Sequence, residues 1–95
     1  MMETVTKGNI KRMERTLKAL ANRRRLAVLA FLKKRKEATV GEIAEEIRLS
    51  FKSTSRHLSV LASADIVNRE QRSLEVFYSL ADDMPSAARL IRPLL

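Results

Sequence analysis

Cysteine is absent from the chain, and glycine and proline occur only twice each. Without cysteine the protein forms no disulfide, uses no thiol as a nucleophile and offers no thiolate to a metal ion. Few glycines and prolines argue against a loop-rich or all-β chain, because these residues mark turns. The composition therefore predicts a mostly helical protein, and the 95 residues suffice for a single domain, 1–95.

Histidine occurs once, and aromatic residues make up only 4% of the chain. One histidine cannot build a zinc site, which needs several nitrogen or sulfur ligands, and no Gly-rich phosphate loop is present. We therefore expect no metal, no cofactor and no enzymatic activity. The few aromatic side chains also argue against a binder of RNA or single-stranded nucleic acid, which uses them as stacking platforms.

Long apolar runs are missing as well. The longest uninterrupted one covers Leu26–Leu32 and is far too short to span a bilayer. The N-terminus also lacks the apolar core of a signal peptide. We expect a cytoplasmic protein that is not associated with a membrane.

Positive charge is in excess: 19 Lys and Arg residues stand against 11 Asp and Glu residues, giving a net charge of +8. This balance predicts a polyanionic partner, either nucleic acid or an anionic surface. The excess lies early, because 12 basic and 2 acidic residues precede Glu37, while 7 basic and 9 acidic residues follow from there. Arg23–Arg25 open a predicted helix, where they oppose the helix dipole. Three cations at this position predict a contact with an anion, either a phosphate of the partner or a carboxylate of the same chain.

The stretch 50–63 predicts a helix with two chemically distinct faces. Ser50 is a suitable N-cap, and the helical period places Thr54, Leu58 and Leu61 on one side. Lys52, Arg56, Ser59 and Ser63 fall on the other side, and no acidic residue lies between Ser50 and Ala64. Such a face can hydrogen-bond in a DNA major groove, although a solvated helix face also carries residues of these types.

A shorter helix precedes this one. Thr39 and Glu42 form a T-x-x-E capping box, and the helix then runs through Ile43, Ala44 and Ile47. Its end near Arg48 leaves only a short turn before Ser50. Residues 40–63 therefore predict a helix-turn-helix unit.

Residues 66–80 predict a two-stranded hairpin. Val76, Tyr78 and Leu80 alternate with Phe77 and Ser79 after a polar stretch, and β-branched and aromatic residues are enriched. Arg69 and Arg72 lie near the tip, where a wing can reach a phosphate or the minor groove. Exposed hairpin tips are also commonly charged for solubility alone.

Helices are expected at both ends of the chain, over residues 9–21 and 82–94. A central helix, capped by Asn22, is expected to follow the first of these and to precede the capping box at Thr39. The first has a narrow apolar seam, which suits either another helix of the same chain or a second subunit. The last helix ends in apolar residues, which a second subunit would bury. We predict a homodimer contact through Ile10, Met13, Leu17, Leu20, Ala87, Ile91 and Leu94.

Several segments, taken together, match one known family: Leu17-Lys18-Ala19-Leu20-Ala21-Asn22, Arg25-Leu26, Val40-Gly41-Glu42-Ile43-Ala44, Ser55-Arg56-His57-Leu58, Val60-Leu61, Val67 and Phe77-Tyr78. Through them the chain resembles the ArsR/SmtB family of winged helix-turn-helix repressors from about Leu17 to Leu80. The resemblance implies a mostly α fold with a small β-hairpin, about five helices plus a two-stranded wing. It also implies a homodimer joined by its first and last helices, a recognition helix over residues 51–63, and operator binding relieved by a signal.

The departures from this family concern its signal and its DNA contacts. Thr39 and Gly41 stand where metal-sensing members carry a cysteine pair, and no histidine follows Asp82 and Asp83. Metal sensing is therefore not expected. Other differences are Asp65 in place of a frequent glycine after the recognition helix, Ser73-Leu74 in place of the Gly-Arg pair of the wing, and Phe51 in place of a polar base reader. We favour core packing for Phe51 over contact with a thymine methyl group.

We predict that the bases are contacted by Lys52, Ser53, Ser55 and Arg56, and the phosphates by Ser59, Arg69 and Arg72. His57, at the edge of the buried face, is expected to be structural. The predicted function is sequence-specific binding of double-stranded DNA by a homodimeric repressor on a two-fold operator, with an effector that the sequence does not identify. The alternatives are a winged-helix module that binds protein and a nonspecific nucleic-acid-binding protein.

Overall fold

The computed structural model describes residues 6–95, which form five α-helices and three short strands. The expected mostly helical fold with a wing is confirmed. Within these residues no helix is both long and apolar enough to cross a membrane. The elements are α1 Lys7–Leu20, α2 Arg23–Arg35, β1 Glu37–Thr39, α3 Val40–Ile47, α4 Phe51–Ser63, β2 Val67–Arg72, β3 Glu75–Leu80, α5 Ser86–Ile91 and a final 3-10 turn Arg92–Leu94.

Side-chain caps fix where the central helices begin. Asn22 Oδ1 accepts from the backbone N–H groups of Arg24 and Arg25 at 3.0 and 3.1 Å. Thr39 and Glu42 form both hydrogen bonds of the capping box, at 3.2 and 2.8 Å. Ser50 Oγ accepts from the Ser53 N–H at 3.1 Å. All three predicted caps are confirmed, because each depends only on residues within one helical turn.

The two terminal helices differ from their predicted bounds. Helix α1 starts at Lys7 rather than Asn9, because Thr6 supplies an N-cap by accepting from the Asn9 N–H at 3.2 Å. Lys7 and Gly8, which precede the predicted start, therefore belong to the helix, and residues 1–5 lie outside the described part. Helix α5 starts at Ser86 rather than Asp82, since Asp82 and Asp83 form a turn before Pro85.

The wing belongs to a three-stranded antiparallel sheet of order β1-β3-β2. Strands β2 and β3 pair from Val67 opposite Leu80 to Arg72 opposite Glu75, and Ser73 and Leu74 form the turn. The predicted hairpin is confirmed. Strand β1, which pairs along β3 from Glu37 opposite Ser79, was not predicted, because three residues show no strand periodicity.

The core lies between helices α2, α3 and α4 and the sheet. The apolar face of α4 supplies Leu58 and Leu61, which are fully buried. Leu20 is also buried, at 6% exposure, and belongs to this core cluster. Leu20, which was predicted as a dimer contact, therefore leaves little of its surface for a partner, because the last apolar residue of the α1 seam turns inward to its own chain. The other large, fully buried apolar side chains are Val28, Leu29, Leu32, Ile43 and Ile66.

Helix α4 ends in a Schellman motif that requires a left-handed residue. Asp65 has φ 61°, its N–H donates to the Ala62 carbonyl at 3.0 Å, and the Ile66 N–H donates to the Leu61 carbonyl at 3.0 Å. The backbone is therefore left-handed at the position where relatives frequently carry glycine. A side chain makes that conformation unfavourable.

Replacing Asp65 with glycine is expected to raise the free energy of unfolding by about 0.5–1 kcal/mol, since glycine removes the left-handed cost but adds unfolded-state entropy. Urea unfolding followed by circular dichroism measures it. The matched control is Asp83→Gly, at an exposed turn residue whose φ is not positive. This control should be neutral or destabilising. Equal effects of the two substitutions would contradict the strain at Asp65.

Candidate nucleic-acid interface

Helix α4 presents one polar face to solvent. Thr54, Leu58 and Leu61 are fully buried, whereas Lys52 and Arg56 are exposed. Ser59 and Ser63 are exposed on the same side, and Ser53 and Ser55 are half-buried at its edges. The predicted division into two faces is confirmed. The exposed side carries two cations and several hydroxyl groups with no carboxylate among them, which are the groups that donate hydrogen bonds to DNA.

Phe51 stands at the first residue of α4, with 63% of its surface exposed. The core packing that the sequence favoured for this ring is therefore wrong. The core side of the helix begins three residues later, at Thr54. Contact with a thymine methyl group is the alternative that remains for Phe51.

Arg25 links the end of α1 to α4. Its Nε donates to the Ala19 carbonyl at 2.6 Å and its Nη2 to the Lys18 carbonyl at 3.1 Å, both in the last turn of α1. Its Nη1 lies 3.1 Å from Nδ1 of His57. The carbonyls at a helix C-terminus attract a cation and lack partners within the helix. Arg25 thus has internal partners, but they are carbonyls and an imidazole rather than the carboxylate that the sequence suggested.

His57 is held neutral in this position. A guanidinium can only donate, so Nδ1 of His57 accepts from Arg25 and the ring proton lies on Nε2. Desolvation first, and then the charges of Arg25, Arg24 and Arg56, lower the pKa of His57 below its usual 6.5. Within residues 6–95 no three His, Asp or Glu side chains are grouped so that they could hold a metal ion. The contact supports the structural role predicted for the single histidine.

Stability is expected to fall between pH 7.5 and 5.5. The pKa of His57 is lowered in the folded state, so the unfolded chain takes up the proton first as the pH drops below 6.5. The decrease in the free energy of unfolding levels off once the pH is below the pKa of His57 in the folded protein. Urea midpoints at the two pH values should differ less for His57→Asn, whose amide oxygen replaces the Nδ1 acceptor. Identical pH dependence in both proteins would contradict the assigned hydrogen bond.

Arg72 fastens the wing to β1. Its Nη1 and Nη2 donate to the two carboxylate oxygens of Glu37 at 2.9 and 2.7 Å, and Nη2 also lies 2.8 Å from Glu70. The guanidinium stands 4.5 Å from the centroid of the Phe77 ring. The hydrogen bond from Arg72 lowers the pKa of Glu37. The side chain predicted to contact phosphate is thus already engaged with two carboxylates, whereas Arg69 forms no salt bridge among the described residues.

An apolar strip lies on α1 and the end of the chain. Met13 is 53% exposed and Leu17 is 49% exposed, and Ile10 lies one turn before them. Of the other predicted contact residues, Leu94 is exposed, Ala87 is half-buried, and Ile91 packs partly against the chain's own core. Leu90, which is 76% exposed, was missing from the predicted set. We call Ile10, Met13, Leu17, Leu90 and Leu94 the terminal strip.

Helix α3, a short turn and α4, followed by the β2–β3 hairpin, define a winged helix-turn-helix protein. A family model described as a helix-turn-helix domain matches residues 20–70. The transcriptional activator HlyU of Vibrio cholerae is 40% identical over 65 residues, covering 68% of this chain and 59% of HlyU. The transcriptional repressor SdpR of Bacillus subtilis is 32% identical over 68 residues, covering 72% of this chain and 74% of SdpR. The chain belongs to the ArsR/SmtB family.

Solved structures agree with this placement. Reduced HlyU superposes with a TM-score of 0.77 at 32% identity, over 94% of this chain and 90% of HlyU. A homodimeric winged helix-turn-helix DNA-binding domain from Mycobacterium bovis gives a TM-score of 0.81 at 27% identity, over 98% of this chain and 86% of that domain. The chain spans about half to two thirds of the length of the first curated relatives, at 59%, 54% and 64%.

Proposed function

We propose that the chain is a transcriptional regulator that binds double-stranded DNA sequence-specifically, as a homodimeric repressor on a two-fold operator. The observation that carries this is the exposed face of α4, which holds Lys52 and Arg56 and no acidic residue. The fold holds this face rigidly, because the opposite side of α4 is buried in the core. A helix presented in this way fits the major groove of B-DNA.

Base contacts are assigned to the exposed face of α4, and phosphate contacts to its edge and the wing. Arg56 is suited to a bidentate contact with guanine, and the Ser53 and Ser55 hydroxyls at the edges can donate or accept. Lys52 completes the base-reading set. Ser59 and Arg69 are assigned to phosphate. We withdraw Arg72 from this set, because Glu37 and Glu70 neutralise it, and assign it to bracing the wing.

The dimer is assigned to the terminal strip. Helices α1 and α5 are in contact within the chain, so their exposed apolar residues can form one surface. A contiguous apolar surface on so small a protein favours a partner, and a two-fold interface buries the same surface on both copies. The name of the Mycobacterium bovis domain, which describes it as homodimeric, supports this assignment.

The test is a selection of fragments from the source genome by the purified protein, followed by footprinting of the best site. We expect a two-fold protected site with half-sites about one or more helical turns apart. A reporter gene placed under that site should be repressed, since SdpR is named a repressor, whereas induction would match HlyU, which is named an activator. No selected site would overturn the proposal and favour a winged-helix module that binds protein.

A further inference from the structure

A shallow groove of about 560 Å³ lies between α1 and α4. Its floor is made of Ala19 and Ala64, which are buried, and of Val60. One wall is α1 and the other is α4, which contributes Arg56 and Ser59. We call this the α1–α4 groove. Two residues assigned to DNA therefore also line a site that continues away from α4 onto α1.

The groove is strongly basic. Arg15 and Lys18 line it from α1, Arg25 from α2 and Arg56 from α4, against the single carboxylate of Glu14. Among the described residues only Lys18 of these four cations has a carboxylate within 4 Å, namely Glu14 at 3.8 Å. The other three cations of the groove therefore have no carboxylate partner among the described residues.

Two of the cations are held in place by backbone rather than by acidic side chains. Arg15 donates to the Ser63 carbonyl at the end of α4, and Arg25 donates to the Lys18 and Ala19 carbonyls. A guanidinium has five N–H donors, so these bonds leave others unused. Fixed cations with spare donors suit an anion with several acceptor oxygens, such as a phosphate.

We infer that the α1–α4 groove binds the phosphate backbone of DNA beside the major groove that α4 enters, so that α1 adds affinity. This inference rests on the proposed function. Arg56 and Ser59 line the groove and also lie on the exposed face of α4, so a strand beside that helix meets the cations of α1. Lys11 extends the basic side of α1 by one turn, at the helical spacing of Lys11, Arg15 and Lys18.

The inference accounts for the uneven distribution of charge. The basic excess precedes Glu37, away from α4 in sequence, and α1 brings part of it beside α4 in space. Phosphate contacts carry no sequence information. The groove should therefore raise the affinity for every duplex equally and steepen its dependence on salt.

The experiment compares three variants on the selected operator and on a scrambled duplex. Lys18→Gln removes one cation of the groove, and its side chain is 77% exposed, so the fold is preserved. Glu14→Gln removes the single carboxylate that lines the groove, one helical turn before Lys18. Lys34→Gln is the matched control, at the end of α2 about 13 Å from Arg25 along the helix axis. Affinities are measured between 50 and 200 mM salt.

Lys18→Gln should weaken binding to both duplexes by the same factor and make the slope of log K against log salt shallower by about 0.9. Between 50 and 200 mM salt, the factor by which the affinity falls is then about 3.5 times smaller for the variant than for the wild type. Glu14→Gln should strengthen binding to both duplexes. Lys34→Gln should leave the slope within about 0.2 of the wild-type value.

An unchanged slope for Lys18→Gln and an unchanged affinity for Glu14→Gln, with the wild type still specific for its operator, would overturn the groove assignment alone. Wild-type protein that binds no DNA would overturn both this assignment and the proposed function.

A separate experiment tests whether the groove binds a small phosphorylated ligand instead. It compares how much bound operator is displaced by inorganic phosphate and by sodium chloride at equal ionic strength. We expect equal displacement of the operator by the two salts. Saturable displacement by phosphate alone would assign the groove to a small phosphorylated ligand and overturn the inference.

Discussion

Arg56→Ala should weaken binding to the operator by about 1–3 kcal/mol, or roughly 5- to 150-fold. It should also relax the preference for one base pair in each half-site. The reason is geometric: Arg56 lies on the exposed face of α4, opposite the buried Leu58 and Leu61, where a guanidinium can contact guanine O6 and N7 together. Competition titrations with operators changed at single base pairs measure both effects.

The control for Arg56 is Arg69→Ala, which removes a cation of the same kind from the wing. Arg69 is exposed on β2 and is assigned to phosphate. This variant should weaken binding about equally on all duplexes and leave the base preference intact. If Arg56→Ala also weakens all duplexes equally, then Arg56 is a backbone contact and the assignment of base reading to it is wrong.

Met13→Glu should convert the dimer to a monomer and reduce operator affinity by about 100-fold or more, because each half-site is then bound separately. Met13 lies in the middle of the α1 part of the terminal strip, half-exposed, so a carboxylate there is tolerated in the monomer. In the dimer the same carboxylate would be buried without a partner, which is strongly unfavourable. Sedimentation equilibrium measures the mass, and circular dichroism checks the fold.

Two further variants frame this result. Leu90→Glu should act like Met13→Glu, since Leu90 is exposed on α5 in the same strip. Ala30→Glu adds the same charge at an exposed position of α2 outside the strip and should leave the dimer intact. A dimer that survives both Met13→Glu and Leu90→Glu would contradict the assignment of the terminal strip. The contact would then lie elsewhere.

The features that the sequence predicted well are local. The caps at Asn22, Thr39 and Ser50 depend on residues at most three positions away, and the two faces of α4 follow from the helical period. The hairpin was found because alternation persists over β3. These signals lie within a single element, so no knowledge of the packing is needed to read them.

The features that were missed depend on contacts between distant parts of the chain. Arg72 was assigned to phosphate because it is close to the wing tip, but its main partner, Glu37, is 35 positions away. Arg25 has partners at the end of α1 and, 32 positions away, at His57. Leu20 continues the helical seam of α1 yet points into the core, because the chain turns toward α2 directly after it. Sequence periodicity gives the direction of a side chain around its helix but not what lies opposite.

The α1–α4 groove is a further feature that the sequence alone did not predict. The early excess of positive charge was visible in the sequence, but nothing in the order of residues placed α1 beside α4. Only the fold brings Arg15 next to the end of α4 and Arg25 next to His57. Part of the charge that looked unconnected with α4 in the sequence thus lines a groove beside that helix.

The most direct test of the central claim is the equilibrium affinity of the wild-type protein for its selected operator and for a scrambled duplex, measured from 50 to 200 mM salt. The account predicts that the operator is preferred by about 10³ or more. It also predicts that both affinities fall steeply as salt increases, since phosphate contacts contribute to each. Equal affinities with a steep salt dependence would contradict it, and would leave a cationic protein that coats DNA without reading its sequence.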